Sequence, residues 1–452
     1  MPHPTDSAPP RLLLTVTGGQ LVAAAPADPA AAVAPPAGGA PRGRPSRDGR
    51  AAGRLAPYAR LFATPGTRAF VLPGLLARLP AGMFGVAAVI MLTAHRDSYA
   101  LAGAVVATGL VASTVCAPLI ARLVDRYGQA RVAVPAAAVT ATGHLGLIAC
   151  VTLDAPVWSW FCAQLLTAAQ PNLGAMSRAR WAHLHPGTAA GAIEARHTAN
   201  ALEQAMDELC FMGGPMLAAV LCTALFPEAG TLTAALLMLG GTLAFAARRE
   251  TEPPAVRRTA PGPPPLRTRG IPPLLLTFLC VGSLFGAMEV VTVAFADERG
   301  QQAWAGAVLA AQAAGSAVAG LLFGLLRPRG DARARFTRCV AAMAVLMALL
   351  PLAARAESLA LLAPVLLIAG MATAPTMVTG MTLIQRVTPV GRLNEGMTLA
   401  VAALLGGIAV GAASGGALVD AHGAVAAYLL PMSAACLAAS VAAVTRGRAT
   451  AR

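Results

Sequence analysis

The stretch "LIARLVDRYGQAR", residues 119–131, places Asp125, Gly128 and arginines 122, 126 and 131 between long runs of Ala, Val and Leu. What flanks it decides the fold. Residues 99–121 and 132–153 are each apolar over the length that a helix needs to cross a bilayer, about 20 residues. The quoted segment is then a tight, charged turn between two membrane helices. Gly128 can take the positive φ that such a turn requires. Asp125 can accept hydrogen bonds from the N-terminus of a neighbouring helix, whose dipole favours negative charge. The same residues also read as ordinary orienting arginines beside an incidental acid, and spacing alone does not separate the two readings.

Working outward, the apolar pattern repeats at 69–93, 99–121, 132–153, 156–176, 197–225, 230–247, 271–296, 303–326, 337–354, 358–383, 396–419 and 424–445. Only 12% of residues are charged and 56% are hydrophobic. A soluble domain carries about a quarter charged residues, so helices apolar all round, in lipid, explain the composition better than a large core. The expected fold is an all-α membrane protein with twelve transmembrane helices in two pseudo-symmetric six-helix bundles. The bundles are 67–247 and 271–446. Gly128 and Gly330 follow even-numbered spans at the same interval that separates Gly213-Gly214 from Gly415-Gly416. Residues 1–66, rich in Ala, Pro, Gly and Arg, read as a disordered extension. Within them "RLLLTVTGGQLVAAAPA" faintly resembles a leader peptide, but Gly18-Gly19 breaks the run. The Pro- and Arg-rich stretch 248–270 reads as a linker, and 447–452 as a short tail.

The net charge of +14 would suggest nucleic acid on a soluble face; here its distribution sets topology instead. All 34 basic residues are Arg. With both termini in the cytoplasm, all but Arg78, Arg96, Arg299 and Arg355 lie on the cytoplasmic side, as the positive-inside rule requires. The expected location is the cell (inner or plasma) membrane, with the bilayer as partner, no nucleic acid, and a monomeric chain. Trp158, Trp160, Trp181 and Trp304 fall at span ends, where amphipathic rings belong. The eight cysteines read as small buried hydrophobes. No phosphate loop, H-E-x-x-H or metal-ligand cluster is present, so no cofactor, metal or enzymatic activity is expected.

Intramembrane acids cost at least a few kcal/mol each unless they face a cavity or a partner. "ALEQAMDELCFMGGPMLAAVL", 201–221, contains three. Glu203 and Asp207 share one helix face, and Glu208 is rotated by about 100°. Arg78 in span 1 lies at nearly the depth of Asp207, so an ion pair can form, with a neighbouring acid left to carry a proton. Alternatively span 5 starts later and these acids sit at the membrane surface. Glu289 in span 7 is a further acid expected to face a cavity, and Gln164 and Asn172 in span 4 share a face that can line it. His144 reads as a hydrogen-bonded packing residue before a proton site, and Gln312 in span 8 is similarly open. Gly213, Gly214 and Pro215 permit close helix approach and a bend.

"ARLVDRYGQAR" resembles the loop signature of the major facilitator superfamily, G-x-L-x-D-R-x-G-R-R, in its usual place after span 2. Leu123, Asp125, Arg126 and Gly128 match. Ala121 replaces the first Gly, Gln129-Ala130 replace the basic pair, and Arg131 comes one step later. "GGPM", 213–216, resembles the Gly-Pro signature in span 5 of the superfamily's proton-coupled exporters. The resemblance implies two bundles rocking about a central site, with Asp125, Arg126, Gly128 and Arg131 as a conformational latch that meets the start of span 11. It also implies export of small amphipathic molecules against protons. A proton symporter or facilitator for a metabolite, and a transporter-like sensor that moves nothing, are the alternatives.

Overall fold

The computed structural model describes residues 55–96, 98–255 and 263–450. The leader-like run lies outside them. Six crossings precede the linker. Span 1 is Thr67–Arg96, span 2 Tyr99–Tyr127 and span 3 Gln129–Thr152. Span 4 is broken into Val157–Leu166 and Leu173–Leu184; span 5 is Ala190–Ala224 and span 6 Ala229–Ala247. Six follow it. Span 7 is Ile271–Asp297 and span 8 Gln302–Gly324; span 9 runs through Ala332–Met347 and Leu349–Ala354. Span 10 is broken into Leu359–Gly370 and Thr373–Val387. Spans 11 and 12 occupy Leu393–Ala427 and Leu429–Thr450, and the reversal between them is at Gly423, whose φ of 78° favours glycine. Among the described residues, ten helices are long and apolar enough to cross by themselves. Span 4, because it is broken, and span 12, because its apolar part is short, complete the twelve.

The two halves echo one another in packing. Span 5 lies against span 1, and span 11 against span 7. In lipid there is no hydrophobic drive between helices, so close backbone approach at small residues holds them. A methyl on Gly214 would come within 2.9 Å of Gly82 Cα, and one on Gly411 would overlap the Ser283 carbonyl. Gly411→Val is therefore expected to push spans 7 and 11 apart and to cost about 2 kcal/mol as overpacking. A thermal unfolding midpoint in detergent equal to that of the parent would show that the spans do not touch there.

Several expectations are corrected. Helical structure is present before residue 67, within the stretch read as a disordered extension. Ala56–Ala63 is helical, with a Pro in its first turn, and Leu61 is buried beside Phe70 and Trp181. The arginine-rich end of span 4 extends past its apolar run where protein surrounds it, Leu173 to Trp181 being buried, whereas span 5 begins before its run, at Ala190, in residues that are exposed or half-buried. Trp158 and Trp304 are exposed, as interface rings are, but Trp160 and Trp181 are fully buried. The eight thiols are unpaired, and Cys162 and Cys436 are exposed rather than buried.

Candidate functional site

Span 4 positions the site. After Leu166 it tightens into one 3₁₀ turn, Thr167–Ala169, and breaks. Pro171 has no N–H to continue the ladder and disfavours helical geometry at the residue before it; Gln170 sits at φ −55°, ψ 121°. Asn172 restarts the helix, its Oδ1 accepting from the Ala175 N–H at 3.0 Å. This is a helix cap. Every residue from Leu173 to Trp181 is buried. A segment enclosed by protein on all sides can carry arginines, provided that they are paired.

Arg180 is satisfied by neutral acceptors, Gln129 Oε1 and Thr251 Oγ1 at 2.8 Å each, with the carbonyls of Phe245 and Arg248. Arg178 is paired with an acid: its Nη2 donates to Asp207 Oδ2 at 2.7 Å, and Arg78 Nη1 of span 1 donates to Asp207 Oδ1 at 2.9 Å. Arg78 Nη2 lies 2.7 Å from Glu203 Oε2, an ion pair too oblique to count as a hydrogen bond. Glu203 Oε1 accepts from Ser177 Oγ at 2.6 Å and from Trp181 Nε1 at 2.7 Å. Two guanidinium groups thus face two carboxylates, and spans 1, 4 and 5 are joined through charge. Arg78, Arg178 and Glu203 are at most 7% exposed, so each charge depends on these partners.

Glu208 is the surplus acid. It turns away from the arginines, and its partners are neutral: Oε1 accepts from Gln204 Nε2 at 3.1 Å and from Ser316 Oγ of span 8 at 2.9 Å. Ser316 Oγ lies 2.7 Å from Thr373 Oγ1 on span 10. The carboxylate therefore reaches from the first bundle into the second. The halves differ here in chemistry. The buried second part of span 4 bears arginines, whereas its counterpart in span 10 bears Thr373, Thr376, Thr379 and Thr382, each bonded back to its own helix.

At the arginine-rich face the bundles are locked together. Asp125 Oδ1 accepts from the Asn394 backbone N–H at 3.1 Å and from its side-chain amide at 2.8 Å; Oδ2 accepts from the Glu395 N–H at 2.9 Å. These are first-turn donors of span 11, which a negative charge complements. Glu395 is held in turn by Arg122 Nε at 2.6 Å and Arg392 Nη1 at 3.1 Å. Gly128 has φ 97°, and Glu252 lies over it, accepting from the Ala130 N–H at 3.0 Å. Arg126 and Arg131 point into solvent, Arg126 over the Tyr127 ring, so the structure does not bring them to this contact. On the other side of the same face, Tyr58 Oη donates to the Leu321 carbonyl at 2.7 Å, and Thr198 Oγ1 to the Gly324 carbonyl at 2.8 Å. His197 Nε2 meets the Phe323 carbonyl at 2.9 Å, and Asn200 Nδ2 donates to Gln385 Oε1 at 2.9 Å.

The opposite face carries a cleft of about 740 Å³ between spans 7 and 11. Glu289, Asp297 and Asp420 line it, among valines and alanines. Gln164 stands apart, buried against Gly109 of span 2 with its Oε1 unpartnered. His144 is buried and stacked on Phe84, ring centroids 3.6 Å apart, and neither of its ring nitrogens is bonded to a protein group. The helix of span 5 is continuous through Pro215; Gly214 makes the approach to span 1, and Gly213 faces open space. Residues that the sequence reading missed are Ser177, Arg178, Trp181, Ser316, Thr373, Asn394 and Glu395. Arginines just beyond an apolar run, with the Pro171 break before them, were the available signal for Arg178.

The sequence profile described as Major Facilitator Superfamily matches residues 71–412. No curated protein matches the sequence at a significant level. Among solved structures, the human organic anion transporter MFSD10 (TETRAN) is 18% identical with TM-score 0.64, over 84% of this chain and 100% of that one. A bacterial homologue of the iron transporter ferroportin, in an outward-facing state, is 14% identical with TM-score 0.68, over 84% and 99%. The E. coli fucose:proton symporter FucP is 14% identical with TM-score 0.62, over 83% and 99%. These likenesses carry the fold. The profile covers most of the chain, and with the twelve crossings it identifies the protein: it belongs to the major facilitator superfamily, as a multi-pass secondary transporter of small molecules and not an enzyme.

Proposed function

We propose that this transporter exports small amphipathic molecules in exchange for protons, by alternating access, as a monomer in the cell (inner or plasma) membrane with its arginine-rich face and both termini in the cytoplasm. Residues 67–247 and 271–446 are the two moving bundles, linked by 248–270. The observation that carries this reading is Glu208, an acid with only neutral hydrogen-bond partners beside a charge-balanced cluster, reaching across to Ser316 of the other bundle. Asp207 is held by two guanidinium groups, whereas Glu208 is bonded to a hydroxyl and an amide alone.

In the arrangement described here the arginine-rich face is shut and the acidic cleft opens to the other side. A proton that arrives from the cleft side and neutralises Glu208 removes the charge assistance from its bond to Ser316, and such assistance roughly doubles a hydrogen bond's strength. The cross-bundle tie weakens, the shut face can part, and substrate taken up there replaces the proton. The carboxylates of the cleft, Glu289 among them, favour cationic or neutral solutes over anions. That argues against carrying over the organic anion substrate named for the human relative.

The test is flux of an amphipathic cation in proteoliposomes, with and without a pH gradient. Glu208→Gln is expected to reduce gradient-driven accumulation to the level seen without a gradient, while exchange of labelled for unlabelled substrate continues. Gradient-driven accumulation equal to that of the parent would remove Glu208 from the coupling step.

A further inference from the structure

A second pocket, of about 500 Å³, lies on the arginine-rich face between spans 5, 8, 9 and 10, away from the charge cluster. Its rim is Arg327 and Arg329 of the 8–9 loop with Arg335 and Arg338 at the start of span 9; its apolar lining includes Leu326, Leu346 and Met371. Residues 327–338 hold five arginines and one acid, Asp331. Asp331 Oδ2 accepts from the Ala334 N–H at the head of span 9. Arg338 Nε reaches no further than a carbonyl of its own helix, Ala334, at 3.4 Å. Arg327 shares Glu194 with Arg60, at 3.5 Å. Arg335 Nε is buried with no hydrogen-bond partner, and so is Nδ1 of His197, which also lines the pocket. The site holds more positive charge than its own acids balance, and two buried nitrogens in it have nothing to bond.

The apolar lining narrows the ligand. Leu326 is 61% exposed and Met371 40%, so the floor continues onto the outer surface that spans 8 and 10 present to lipid. A fully polar anion would cover that floor without gaining from it. Basic pockets between membrane helices, by contrast, suit anionic head groups whose chains remain in the bilayer. We infer that this pocket binds one anionic phospholipid, its phosphate on Arg335 and Arg338 and its acyl chains along Leu326, Leu346 and Met371. This assignment rests on the membrane fold and is independent of proton coupling.

The position also gives the lipid a role. His197 meets the Phe323 carbonyl across the bundle boundary, and the next residue, Thr198, holds Gly324. A lipid in the pocket braces the contact between span 5 and span 8, and so favours the shut arginine-rich face. By linkage, opening that face weakens lipid binding by the same factor.

Native mass spectrometry of the full-length chain in detergent tests this, with dioleoyl phosphatidylglycerol and dioleoyl phosphatidylcholine as probes. The parent is expected to retain phosphatidylglycerol at a concentration about tenfold below that for phosphatidylcholine. Arg335→Gln/Arg338→Gln is expected to lose that preference, exposed Arg338→Gln alone to reduce it, and Arg355→Gln, on the opposite face, to keep it. Met371→Trp, which fills the floor and leaves every charge in place, is expected to lower retention as well. Preference undiminished in both arginine variants would overturn the site. Undiminished retention in Met371→Trp, or complete displacement by millimolar inorganic phosphate, would overturn the lipid as its occupant.

Discussion

Arg178→Gln is expected to destabilise the folded protein by about 3–5 kcal/mol, the usual result of removing one partner from a buried ion pair. The substitution leaves Asp207 and Glu203 sharing Arg78, so one buried negative charge has no counter-ion. Thermal unfolding in detergent measures it. The companion Arg178→Gln/Asp207→Asn removes one charge of each sign and should recover most of the loss, because charge balance is restored even though two hydrogen bonds are weaker. If the single variant unfolds like Arg355→Gln at the exposed far face, the cluster is not sealed from water and its energetic rationale is lost. If the double variant is no better than the single, the arginine acts through packing instead of charge.

The second large effect concerns the contact between Asp125 and the start of span 11. Its two oxygens satisfy the Asn394 and Glu395 N–H groups together with the Asn394 amide. Asparagine keeps one acceptor and loses the charge that the helix end favours. Bonds to charged groups contribute about 1.5–3 kcal/mol and the helix-end charge up to about 2. A net loss of about 2 kcal/mol from the shut arrangement is a roughly thirtyfold shift toward the open one. Distance distributions between spin labels at the ends of spans 2 and 11 should show it for Asp125→Asn, with transport slowed and substrate KM little changed. Distributions identical to the parent would mean that the contact does not hold this face shut.

The same two sites show where sequence reading succeeds and where it stops. The loop of Asp125 was legible because an acid, a glycine and arginines between two apolar runs have few explanations, and its partner at span 11 came with the family resemblance. Arg78 and Asp207 were legible by depth, since a charge within an apolar run requires a partner and helical rise limits which one it can reach. Arg178 was not. Hydropathy records whether a segment can face lipid, and Leu173–Leu184 faces protein, so it carries no apolar signature. Ser316 and Thr373 were invisible for a different reason. Hydroxyls are common in membrane helices and usually bond to their own backbone, as the threonines of span 10 do. Nothing local distinguishes Ser316, which meets Glu208, or Thr373, which bonds Ser316.

From the chain alone followed the twelve crossings, the charged turn after span 2 and the few ionisable groups that must find company within the membrane. Lipid imposes these on each residue separately, so a linear reading recovers them. The tertiary structure alone decided the partners: Arg178 joining Arg78 on Asp207, Glu203 taken by Ser177 and Trp181, and Glu208 left for the other bundle. An ion pair or hydrogen bond is settled within about 3 Å, between side chains that are far apart in sequence, after the helices have packed.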